Sequence, residues 1–95
     1  MRRLRVRFTY EAAELLSKFH PENKKLIKAA IKELQQDPNA GGDLQEELSG
    51  FKSYKSKRYR IIYKLNEEER VIEIYYVGHR RDVYDQFRIL LNKLT

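Results

Sequence analysis

The sequence predicts a single α+β domain: a small antiparallel β-sheet packed against a two-helix hairpin, in the order β-α-α-β-β-β-α. Three observations predict it. Residues 2–8, RRLRVRF, alternate basic and apolar side chains with the period of a strand. The next stretch turns to helical periodicity, and residues 51–77 turn back, rich in β-branched and aromatic residues between short polar breaks. At 95 residues, with 41% hydrophobic and 36% charged, the chain has material for one modest core and a solvated surface.

In the first strand Leu4, Val6 and Phe8 share one face, and Arg3, Arg5 and Arg7 the other. Thr9 is placed to N-cap a helix with Glu11 in its first turn, and Ala12, Leu15, Leu16 and Phe19 recur at helical spacing. His20-Pro21 ends that helix, and Pro21 opens a second one, whose stripe is Leu26, Ile27, Ala30, Ile31 and Leu34. Asp37-Pro38-Asn39 and Gly41-Gly42 terminate it. So short a connection makes the two helices an antiparallel hairpin. After a polar stretch holding Leu44 and Leu48, Gly50 introduces FKSYKS, RYRIIYKL and VIEIYYV, a three-stranded meander with NEEER as a turn. In its middle strand Tyr59, Ile61 and Tyr63 face one way, and Arg58, Arg60 and Ile62 the other. From Asp82 onward, Val83, Phe87, Leu90, Leu91 and Leu94 form the stripe of an amphipathic helix, either packed on the sheet or awaiting a partner.

Composition narrows the function. Without cysteine there are no disulfides or thiolate metal sites, and two histidines far apart make a zinc site improbable, so no metal and no cofactor are expected. No apolar run is long enough to span a bilayer, and Met-Arg-Arg-Leu-Arg lacks the apolar segment of a signal peptide; the cytoplasm is the expected compartment, with no membrane partner. Twenty Lys and Arg against 14 Asp and Glu give a net charge of +6, which favours a polyanionic partner: nucleic acid first, an acidic protein second. No glycine-rich phosphate loop, H-E-x-x-H or nucleophile elbow occurs.

What remains is a set of cations and phenols expected on the sheet face away from the helix hairpin. Arginine forks match phosphate oxygens, and aromatic rings among them stack bases, so this is chemistry for a phosphodiester. Arg3, Arg5, Arg7 and Arg58 are candidates for steering an RNA backbone, although charges on an edge strand also serve solubility. Lys52 and Lys55 have opposite strand parity, so one rather than both should reach a shared cleft. Arg60, within a strand, has two readings: a functional cation, or a cross-strand ion pair with Glu73. His79 either joins the chemistry or fills the strand-to-helix turn. Arg80 and Tyr84 stand four residues apart and share a helix face if the helix begins early; Tyr84 could equally be a core residue.

On LSGFKSYKSKRYRIIYKL and VIEIYYVGHRRDVYD, together with the A-x-x-L-L pattern of the first helix, the chain resembles the RelE/ParE superfamily of toxins from type II toxin–antitoxin systems. The resemblance implies a RelE-like mRNA interferase, a metal-independent endoribonuclease that cuts mRNA in the ribosomal A site and leaves a 2′,3′-cyclic phosphate and a 5′-OH. By motif it makes Arg60, Arg80 and Tyr84 catalytic, with Lys52, Lys55 and His79 as further candidates. It also implies a small acidic antitoxin as partner, a possible toxin–antitoxin heterotetramer, mRNA and ribosome as targets, and DNA contact only through the antitoxin. ParE-like members poison DNA gyrase by protein contact instead. A basic domain without toxicity is the third reading.

Overall fold

The computed structural model describes residues 4–94. The elements are β1 (Arg5–Phe8), α1 (Tyr10–Ser17), α2 (Pro21–Gln36), β2 (Gly42–Asp43), a 3-10 turn (Glu46–Leu48), β3 (Lys52–Ser56), β4 (Tyr59–Asn66), β5 (Val71–His79) and α3 (Val83–Leu94). The α+β class and the element order hold, with two differences. The sheet has five strands in the order β1-β5-β4-β3-β2, because residues 42–43 pair with β3 as an extra edge. It is also mixed, since β1 runs parallel to β5.

The helix starts follow from their caps. Thr9 Oγ1 accepts the Ala12 N–H at 3.1 Å, and His20 Nδ1 accepts the Glu22 N–H at 3.3 Å just ahead of Pro21. Phe19 lies beyond the end of α1 yet still packs on the core, its ring 5.4 Å from that of Tyr59. The hairpin covers one face of the sheet, where Ala12, Ile27, Ala30 and Leu34 meet Ile61, Tyr63, Ile72, Ile74 and Val77.

The opposite face carries a second core, in which Val83 and Phe87 of α3 close over Ile62, Leu48 and Phe51. Packing on the sheet is thus the outcome for the C-terminal stripe, except that Leu94 is 59% exposed. This corrects the expectation of a broadly cationic face. Its centre is apolar and covered, and the charges sit at its margins.

A β-bulge makes both faces work. Ile62 pairs with Tyr76 and Tyr63 with Ile74, so β5 has an extra residue there. Ile74 and Val77 then both reach the hairpin core, while Tyr75 and Tyr76 both turn toward α3. Tyr63 is fully buried; its hydroxyl donates to the Pro38 carbonyl at 2.8 Å and accepts the Gly41 N–H at 3.0 Å, and burial raises its pKa. Those two bonds tie the segment after α2 down onto the sheet.

Candidate functional site

Register decides which cations meet. Lys55 lies directly opposite Arg60 across the β3–β4 ladder, and Ser53 opposite Ile62, so Ser53, Lys55 and Arg60 all project on the α3 face. Lys52 pairs with Tyr63 on the hairpin face. There its ammonium bonds Asp43 at 2.7 Å, which raises its pKa. Lys52 therefore does not join Arg60, as opposite parity requires, and Lys55 is the one that does.

Arg60 Nη1 donates to the carbonyls of Tyr59 at 3.0 Å and Lys57 at 3.3 Å, which folds the guanidinium over the β3–β4 turn. It sits opposite Gly78, and the Arg60–Glu73 ion pair does not form. Glu73 instead takes Arg7, which also reaches Glu69 at 3.4 Å. Glu73 and Gly78 are far apart along β5, on the order of 15 Å at roughly 3.3 Å per residue. Arg5 and Arg7 accordingly lie on the edge strand away from Arg60, Arg7 already neutralised, and Arg3 falls outside the described residues.

The end of β5 brings in the next group. The Arg80 N–H donates to the Arg58 carbonyl at 2.7 Å, so the β3–β4 turn and the entry to α3 are held side by side. Arg58 thus stands in that turn rather than on a strand face. His79 fills the strand-to-helix turn: its Nδ1 accepts the Arg81 N–H at 3.3 Å, and its ring lies 5.9 Å from that of Tyr59, on the hairpin side. Two residues into α3, Tyr84 reaches back over β3, where its hydroxyl and that of Ser53 lie 2.9 Å apart. Gly78 lets α3 start so close, since a Cβ there would lie 3.1 Å from Val83.

Few of the cations among the described residues are ion-paired, and unpaired lysines also line α2, so it is the clustering of the free ones that marks this region. Arg7, Lys52 and Arg88 are each matched by carboxylates. Lys55, Arg58, Arg60, Arg80 and Arg81 have no such match, and all five lie around the β3–β4 turn and the entry to α3. A local excess of cations without carboxylates is what a phosphate-bearing polymer would neutralise. Ser53 and Arg81 were missed in the sequence. Ser53 shares the parity of Lys55, and Arg81 adjoins Arg80, so spacing could have flagged both. No cluster of potential metal ligands occurs among the described residues.

Residues 6–88 match the family model of ParE-like toxins of type II bacterial toxin–antitoxin systems. The chain belongs to that family. Toxin RelG of Mycobacterium tuberculosis is 33% identical over 81 residues, covering 83% of this chain and 93% of that protein. Among solved structures, the RelBE2 toxin–antitoxin complex of the same organism contains a chain 31% identical with a TM-score of 0.76, over 83% of this chain and all of that one. Isolated RelE of E. coli shares the fold at 19% identity, with a TM-score of 0.69 over 97% and 99% of the two chains. This ParE-like toxin places Lys55, Arg58, Arg60, Arg80 and Arg81 together where α3 meets the β3–β4 hairpin, on the RelE/ParE scaffold. No helix of the described residues is long and apolar enough to cross a membrane.

Proposed function

We propose that this toxin is a ribosome-dependent, metal-independent endoribonuclease that cuts mRNA in the A site. The observation that carries this reading is the cross-strand pair Lys55–Arg60, free of carboxylates, on the same face as the Tyr84–Ser53 hydroxyl pair. In the reaction the ribose 2′-oxygen attacks the adjacent phosphorus, the P–O5′ bond breaks, the 2′-OH proton leaves and the 5′-oxygen gains one. The products are a 2′,3′-cyclic phosphate and a 5′-OH. Arg60 and Arg80 hold the non-bridging oxygens, whose negative charge grows in the phosphorane, so they bind the transition state better than the substrate. Lys55 and Tyr84 carry the transferable protons at the site. In-line placement of the 2′-OH is the ribosome's contribution, and free RNA is cut weakly.

The partner in this reading is a small acidic antitoxin. Relatives have been solved as toxin–antitoxin complexes, and a net charge of +6 makes neutralisation by an acidic chain favourable and its encounter fast. Primer-extension mapping of cellular mRNA after induction, with end-group analysis, is the test. Codon-phased cuts ending in cyclic phosphate are expected. Intact mRNA alongside DNA breaks or supercoiling defects would replace this reading with gyrase inhibition, which the ParE-like family match favours as the second reading.

A further inference from the structure

Tyr84, whose hydroxyl meets that of Ser53, also lines an open pocket of about 340 Å³ between the segment around the 3-10 turn and the first turns of α3. Its apolar surface comes from Leu44 and Leu48 beside Tyr84, and the charged residues lining it include Glu46 and Arg81. Asp85, also at the pocket, is held by Arg88 at 3.1 Å. Glu46 and Arg81 form no ion pair among the described residues. Glu46 has a φ of 55°, a left-handed conformation that a non-glycine residue rarely takes.

We infer that this pocket is a subsite for one nucleobase flanking the scissile phosphate, and that Glu46 selects a base bearing an exocyclic amine over uracil. The inference rests on the nuclease reading, because Tyr84 is the wall shared by cleft and pocket. The polymer entering the cleft must pass its next base along that wall. An apolar floor and a phenol ring suit a base plane, which stacks without sequence preference. Arg81, at the rim, suits the phosphate of the same nucleotide and fixes register. Discrimination falls to the carboxylate, which only accepts hydrogen bonds. Adenine, cytosine and guanine each offer it an amino group, whereas uracil offers one ring N–H between two carbonyl oxygens that repel it.

The test compares base frequencies around mapped cuts, corrected for codon usage, in wild type, Glu46→Gln and Glu46→Lys, with Glu67→Gln in the β4–β5 turn as control. In the wild type and the control, uracil should be depleted about fivefold or more at one fixed offset from the cut, the scale of a good side-chain-to-base contact. Glu46→Gln should reduce that depletion to under about twofold. Glu46→Lys should turn it into a preference for bases with carbonyl edges. Phased cuts whose base profile is the same in all four proteins would overturn the subsite and leave the nuclease reading standing. Absence of phased cuts in the wild type would overturn both.

Discussion

Tyr84 has a ring and a hydroxyl with separate roles, and substitution can part them. Tyr84→Phe keeps the packing on the second core and removes the bond to Ser53; Ser53→Ala removes the same bond and leaves the phenol. Each should cost about 0.5–1.5 kcal/mol in denaturant unfolding. In translation-arrest assays the two should diverge: Tyr84→Phe loses about a hundredfold or more, the scale of a proton-transfer group, and Ser53→Ala far less. Equal losses would reduce the phenol to a packing role. A second pair tests the register argument. Lys55→Ala should impair arrest, whereas Lys52→Ala should not, and should shift stability by under about 1 kcal/mol because its ion-pair partner Asp43 is largely exposed. Parity in the sequence limited the cleft to one of these lysines, and the ladder register identifies which. The capping of Arg81 by His79, and the matching of Arg7 by acids from a turn and another strand, depend on tertiary placement that local patterning does not carry.

Among the elements, the turn after α2 is the most sensitive to a small change. A Cβ on Gly41 would stand 2.6 Å from the Tyr63 hydroxyl oxygen and 2.9 Å from the Ser53 carbonyl oxygen, the latter on a strand that cannot yield. Gly41→Ala should therefore destabilise by about 1–3 kcal/mol, as overpacking does. Tyr63→Phe should cost a similar amount, about 1–3 kcal/mol, by stranding the Gly41 N–H and the Pro38 carbonyl. Thermal unfolding of both variants checks this. Because Gly41 also presses on the backbone of Ser53, its substitution should disturb Tyr84 from behind. Both helices of the hairpin and the three long antiparallel strands were legible from their periods. The bulge was not: β-branched and aromatic enrichment marks VIEIYYV as a strand, and only pairing with β4 reveals that Tyr75 and Tyr76 turn to the same side. Nor could two residues, Gly42 and Asp43, announce an edge strand, since a pattern needs more length than that.

For the molecule as a whole, pH acts from both ends. Arg7 lowers the Glu69 carboxyl below its ordinary range, so this contribution to stability is complete above the unfolded carboxylate value and disappears as pH falls through the folded one. Burial raises the Tyr63 phenol, whose contribution is complete below the ordinary tyrosine value and is lost as pH climbs through the raised one. Melting temperature against pH should thus lose part of its acid slope in Arg7→Gln and part of its alkaline slope in Tyr63→Phe. The parallel pairing of β1 with β5 has a consequence in time. Its partners lie far apart in sequence, Arg7 and Glu73 by 66 residues, so β1 has no strand to dock on during synthesis until the last strand of the sheet has followed it. Closing so distant a contact is slow compared with forming a hairpin. The half-made chain therefore holds Lys55 and Arg60 on a hairpin already able to form, but lacks the α3 that brings Tyr84 over them. On the nuclease reading proposed above, synthesis of this toxin passes through an interval, set by β5 and α3, in which the cleft is incomplete.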